Sequence, residues 1–189
     1  MGYLINQGVS VLIGDGYGFL GTLIKSMLPN KKIIFVNLGR QLLFDIYYFS
    51  KIFPEIDLLC PEKYEDQNMI MDYSIIFLIA EQYELIKKLP ISLFINIASM
   101  QEMDMPVIQK YFEYMRTSTV KSYFYCCNRE EKTLPDGNVI RFSDYPWNEE
   151  ERIIIDEPCP WYQQYPSNFP PFWRDFDGTH LHRLIKLNT

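Results

Sequence analysis

Along the first two thirds of the chain, short apolar runs rich in β-branched residues alternate with longer runs whose apolar positions recur every three to four residues. The first period belongs to a strand buried on both faces and the second to an amphipathic helix. On this basis Val9–Ile13, 33–36, Ile75–Ile79, 93–97 and 123–127 are predicted strands. Helices are predicted over 19–28, 40–52, 82–88 and 106–115. In the first helix Phe19, Leu20, Leu23, Ile24, Met27 and Leu28 form the apolar face, and Pro29 stops it. In the second, Leu42, Leu43, Ile46 and Phe49 do so ahead of Pro54, and Pro106 opens the last, where the first helical turn tolerates proline. Strands alternating with helices predict an α/β fold built on a mostly parallel sheet.

Beyond Asn128 the alternation ends. All three tryptophans, Trp147, Trp161 and Trp173, and six of the 12 prolines fall between Tyr145 and Phe176. This segment reads as long aromatic loops interrupted by a strand at 152–155. A last strand over 180–187 would be antiparallel to it, forming a C-terminal antiparallel hairpin. The chain is therefore expected to be one domain over 1–189, with a βαβ core at 1–128 and an aromatic, proline-rich remainder at 129–189.

Composition narrows the function classes. The 189 residues are 48% hydrophobic and 22% charged, which describes a globular chain. A net charge of −6 and the lack of a basic block argue against nucleic acid as a partner and favour a small molecule. Cys60, Cys126, Cys127 and Cys159 contain no Cys-x-x-Cys pair and read as reduced thiols. With no signal-peptide pattern and no apolar run of membrane-spanning length, a cytoplasmic protein without membrane insertion is expected.

The strongest chemical signal is glycine. Only nine occur, yet Gly14, Gly16, Gly18 and Gly21 lie within eight residues between the first predicted strand and helix. Glycines at such a junction permit positive φ and close approach of a ligand, while the helix start offers unpaired N–H groups. Read as Gly14-x-Gly16-x-Gly18 the loop suits S-adenosylmethionine. Read as Gly16-x-Gly18-x-x-Gly21 it matches a dinucleotide fingerprint. Either cofactor favours an acidic residue after the second strand, where this chain has Asn37, which can hydrogen-bond ribose hydroxyls without charge assistance. Arg40 could meet a 2′-phosphate, keeping an NADP-dependent reductase as the alternative. The Tyr-x-x-x-Lys at Tyr83 to Lys87 nevertheless precedes the strand leading to Ser99, the wrong order for a short-chain reductase.

At the carboxyl end of the fourth long strand stand Asn96, Ser99 and Glu102, beside whatever the glycine loop holds. The run Phe94-Ile-Asn-Ile-Ala-Ser-Met-Gln-Glu-Met103, the helix with Tyr111-Phe112 and the run Phe124-Tyr-Cys-Cys-Asn128-Arg129 resemble the sugar O-methyltransferases. These are class I S-adenosylmethionine-dependent enzymes of bacterial surface-polysaccharide gene clusters. The resemblance covers about 9–147. It implies a Rossmann-like class I methyltransferase sheet, S-adenosylmethionine on Gly14, Gly16 and Gly18, and a sugar or glycan-precursor hydroxyl as acceptor. The chain departs from the family at Leu12 and Asn37, where carboxylates are usual, and Asp15 is the expected replacement toward the cofactor's ammonium group. A catalytically idle member acting as a binding module is the third alternative.

The expected cofactor set is completed by Leu38, Gln82 and Asn96. Ser99, Arg129 and Trp147 are the expected acceptor contacts. A sugar hydroxyl is a weak acid, so a base is required at the strand ends. Glu102 is the first candidate and His180 the second. Glu102 could instead serve a helix start or pair with Arg129. His180 and His182, two apart on a strand, share a face but lack a third ligand, so no metal is expected.

Overall fold

The computed structural model describes residues 8–61 and 70–187. In chain order the elements are β1 (Val9–Ile13), α1 (Phe19–Met27), β2 (Lys32–Asn37), α2 (Gly39–Ile52), β3 (Leu58–Leu59), β4 (Ile75–Ile79), β5 (Ile91–Ile97), α3 (Met105–Met115), β6 (Tyr123–Arg129), β7 (Glu131–Thr133), β8 (Val139–Arg141), β9 (Arg152–Pro158), β10 (Gln164–Pro166), β11 (Trp173–Asp175) and β12 (His180–Lys186). Eight strands form one sheet in the order β3-β4-β2-β1-β5-β6-β12-β9. Pairings from β3 through β6 are parallel. β12 enters between β6 and β9, antiparallel to both. This is the mostly parallel class I methyltransferase sheet with a C-terminal antiparallel pair.

The apolar alternation sorts the side chains into two cores. Leu12, Phe35 and Phe77 of the sheet meet Leu42 and Phe49 of α2 on one face. Val11, Ile34, Ile76 and Phe94 meet Ile108, Phe112 and Met115 of α3 on the other. Phe35 stacks on Phe77 at 4.7 Å between ring centroids in the first of these cores. Most of the predicted elements differ from the structure by one to three residues at an end, and one differs in kind. The segment read as a helix over 82–88 is a 3₁₀ run, Ala80–Ile86. β5 starts two residues earlier and β6 runs two residues further than periodicity predicts, because Asn128 is fully buried although polar. The final strand stops at Lys186.

Two hairpins lie in the segment read as irregular, β7 with β8 and β10 with β11. Both use three-residue strands, too short to leave a period-2 signature. Trp147 packs edge-on against Phe112 at 5.1 Å and donates from Nε1 to the Phe142 carbonyl at 2.8 Å. It belongs to the core of the α3 face. Trp161 and Trp173 are exposed.

Among the clustered glycines, Gly21 serves packing alone. A Cβ there would stand 2.2 Å from the Phe35 ring and 2.8 Å from Leu12 Cδ1. Gly21→Ala should therefore destabilise the fold by about 1–3 kcal/mol through overpacking, despite alanine's better helix propensity. Urea denaturation measures it, and unchanged stability would contradict the close helix–sheet contact.

Candidate functional site

The strand order reverses between β1 and β5, and the crevice opens at the carboxyl ends of the strands flanking that point. A cavity of about 490 Å³ lies there. Gly14 and Gly16 line it after β1, Val36, Asn37 and Leu38 at the end of β2, Gln41 on α2, Ala80 after β4, and Ala98, Ser99, Glu102, Met103, Asp104, Val107 and Tyr111 beyond β5.

The glycine loop is fixed by three different constraints. Gly14, at φ 72°, donates to the Val36 carbonyl at 2.8 Å, and a Cβ on it would stand 2.1 Å from Ser99 Oγ. Gly18, at φ 71°, lies against α2, where a Cβ would meet the Asp45 carbonyl oxygen at 2.8 Å. Gly16, at φ 84°, has nothing within 4 Å of a built Cβ, so its free side faces open space. Of these three glycines, only Gly16 is left with room for a ligand to approach the backbone.

Beneath the loop lie two carboxylates. Asp15 accepts from the Leu20 and Gly21 N–H groups at 3.0 and 2.8 Å, so both oxygens are turned onto the start of α1. That engagement satisfies helix N–H groups that would otherwise lack partners. Burial nevertheless pushes the Asp15 carboxyl above its ordinary range. Asp45, on the sheet-facing stripe of α2 with Leu42 and Phe49, is 0% exposed. Its Oδ2 accepts from Asn37 Nδ2 at 2.9 Å, while its Oδ1 has no hydrogen-bond partner. Desolvation drives its pKa up to about 6, against the Asn37 amide and the Gly18 N–H, which favour the charged form.

Asn96, fully buried, donates to the Ile13 carbonyl at 2.8 Å and accepts from Met100 N–H at 3.2 Å and Asn128 Nδ2 at 2.8 Å. It anchors the turn that carries Ala98 and Ser99 into the cavity and does not itself line it. Ala98 holds φ 54°, a left-handed conformation rare for a residue with a Cβ, and its N–H donates to the Cys127 carbonyl at 2.8 Å. Strain of this kind concentrates where a backbone must be presented to a ligand.

The other expected residues are distributed as follows. Glu102 lines the cavity and pairs with Lys132 at 3.3 Å rather than with Arg129. Gln82 accepts from Ile79 N–H and donates to the Pro61 carbonyl, outside the lining. Arg129 lies against the Phe176 ring, and Trp147 is in the aromatic core, so neither reaches the cavity. His180 is buried at the start of β12, packed by Tyr162 and Phe176. Burial and then the Arg129 charge lower its pKa to about 4, which makes it a poor proton acceptor near neutrality. Arg40 is exposed and does not line the cavity. Sequence reasoning missed Asp45. A carboxylate at the i+3 position of the Leu42–Phe49 apolar stripe was the available signal.

Among the described residues no group of three His, Cys, Asp or Glu side chains could hold a metal ion. None of their helices is long and apolar enough to cross a membrane.

Comparison with solved structures gives the same architecture. The chain is similar to TrmK of M. capricolum, solved with S-adenosyl-homocysteine, at 9% identity over 100% of this chain and 67% of that one, with a TM-score of 0.58. It is similar to a SAM-dependent methyltransferase from Aquifex aeolicus at 9% identity over 97% and 84%, with a TM-score of 0.57. It is also similar to the mitomycin 7-O-methyltransferase MmcR at 9% identity and a TM-score of 0.57, where it covers 97% of its own length and spans half of that protein. No protein-family profile and no curated protein matches the chain by sequence.

A pH dependence follows from Asp45. Its folded pKa of about 6 lies above the ordinary 3.8, so ionisation costs more in the folded state than in the unfolded one. Its contribution should therefore reduce stability as pH rises from about 4 through 6. Asp45→Asn should remove that slope and be more stable than wild type at pH 7.5 by about 1–3 kcal/mol. Urea denaturation at pH 4.5, 5.5 and 7.5 measures the difference, and a variant less stable at pH 7.5 would contradict it. On topology and comparison together, the protein has the class I S-adenosylmethionine-dependent methyltransferase fold.

Proposed function

We propose that this protein is an S-adenosylmethionine-dependent O-methyltransferase of the cytoplasm whose acceptor is a hydroxyl of a sugar or glycan precursor. The observation that carries the reading is the cavity at the switch point, where the open side of Gly16, the Asn37 amide and Glu102 converge. The residues present fit the cofactor. Gly16 leaves space against the backbone, Asn37 offers hydrogen-bonding atoms for a ribose, and Leu38, 59% exposed at the rim, offers apolar surface for a base. The free thiols of Cys126, Cys127 and Cys159 are in keeping with a reducing compartment.

Bound there, S-adenosylmethionine supplies a methyl group already activated by its sulfonium charge. The protein's part is to orient an acceptor oxygen and to take its proton. Glu102 is the proposed base, since its carboxylate lines the cavity beside Ser99, and Lys132 restrains it from one side. Ser99 Oγ donates to the Ile13 carbonyl at 3.0 Å and accepts from Asn96 Nδ2 at 2.5 Å, which leaves one lone pair for an acceptor hydroxyl. The sugar class rests on the resemblance of the segments around Asn96 and Asn128 to sugar O-methyltransferases.

Two variants test the reading. Gly16→Val should leave the fold assembled at a lowered melting temperature, since a β-branched side chain resists φ 84°, and should abolish S-adenosylhomocysteine binding because that side chain would fill the open side. Retained binding in a folded variant would remove the loop from the site. Glu102→Gln should keep cofactor affinity and slow methyl transfer by about a hundredfold or more. Labelled cofactor and a panel of free and nucleotide-linked sugars provide the assay. Wild-type turnover by Glu102→Gln would reassign the base, and no acceptor accepted by the wild type would remove the sugar class.

A further inference from the structure

A fully buried carboxylate with one unpartnered oxygen is a costly feature, and Asp45 is placed where the cost has a use. It does not line the cavity, yet the one side chain among the described residues that hydrogen-bonds to it, Asn37, does. Asn37 is held from two sides. Its Nδ2 donates to Asp45 Oδ2 at 2.9 Å and its Oδ1 accepts from Leu38 N–H at 2.9 Å. A backbone N–H can only donate and an ionised carboxylate can only accept, so both partners select the same orientation of the amide. A carbonyl oxygen has two lone pairs, and Leu38 uses one.

We infer that Asp45 is a positioning residue of the ribose subsite, fixing and polarising Asn37 so that its Oδ1 accepts from a cofactor hydroxyl in place of the carboxylate this strand end lacks. The inference rests on the S-adenosylmethionine reading of the cavity. It makes the pair, and not either residue alone, the unit that recognises the sugar of the cofactor. Hydrogen bonds polarise one another in a low-dielectric site, so the Asp45 charge strengthens the acceptor without touching the ligand. It also reverses the simple expectation for position 37. An aspartate introduced there alone would set two carboxylates against each other across the 2.9 Å contact, and like charges that close cannot both ionise at ordinary cost.

The test is an exchange of the two groups, read by calorimetric titration with S-adenosylhomocysteine and with its 2′- and 3′-deoxyribose analogues. Asp45→Asn should weaken S-adenosylhomocysteine by about three- to tenfold, the range of a lost charge-assisted contact, although the variant is more stable at neutral pH. Asn37→Asp alone should also bind more weakly. The double variant, Asn37→Asp with Asp45→Asn, should regain wild-type affinity or better, because the new carboxylate faces an amide donor. The Asp45→Asn loss should shrink to less than twofold for the deoxy analogue whose missing hydroxyl contacts Asn37, which a purely structural role for Asp45 would not produce. Wild-type binding of S-adenosylhomocysteine that Asp45→Asn leaves unchanged, or a double variant no tighter than the singles, would overturn this inference alone. A wild type that binds none of the three ligands would overturn the cofactor reading and the inference together.

Discussion

The side chain of Asn96 is the contact on which the geometry of the crevice depends. A single buried amide ties the end of β1 through Ile13, the turn after β5 through Met100, and the end of β6 through Asn128. Asn128 in turn accepts from Gln101 N–H, and Gln101 Oε1 accepts from Arg129 N–H. In a parallel sheet the strands end with backbone groups that have no further ladder to join, and buried groups of that kind require partners. Here two asparagines and a glutamine supply them, and the same bonds hold Ala98 in its left-handed conformation at the cavity wall. A network whose members satisfy one another is rigid, so the walls of the crevice are set before any ligand arrives.

Against that satisfied network, the other side of the crevice is under tension. Asp15 and Asp45 both lie at the glycine loop with carboxyl groups raised by burial, and the Asp15 charge adds to the cost of ionising Asp45. Asp15 is compensated by helix N–H groups, whereas Asp45 keeps an oxygen without a partner. A polar contact that lowers stability while touching a residue of the cavity is the signature expected where function opposes folding.

The glycine cluster, the β5 turn and the mostly parallel sheet were legible because each has a local cause: positive φ, a polar strand end, and short apolar runs alternating with runs of helical period. What sequence did not reveal depended on tertiary partners. Asn96 carries the right position for a cofactor contact, but its amide is consumed by two strand ends and the turn after β5. Trp147 looks like an exposed stacking platform among prolines, yet Phe112 and Phe142 enclose it. His180 looks like a base, yet burial and then the Arg129 charge lower its pKa to about 4. The short hairpins escaped because strands of three residues carry no periodicity. Asp45 was visible as a carboxylate on an apolar stripe, but its meaning required knowing that Asn37 stands opposite.

The central claim is that the crevice between β1 and β5 receives S-adenosylmethionine. Its most direct test is a calorimetric titration of the wild-type protein with S-adenosylhomocysteine and, separately, with NADP. Saturable one-site binding of S-adenosylhomocysteine with no heat from NADP is the predicted result. Binding of NADP with none of S-adenosylhomocysteine would contradict the account.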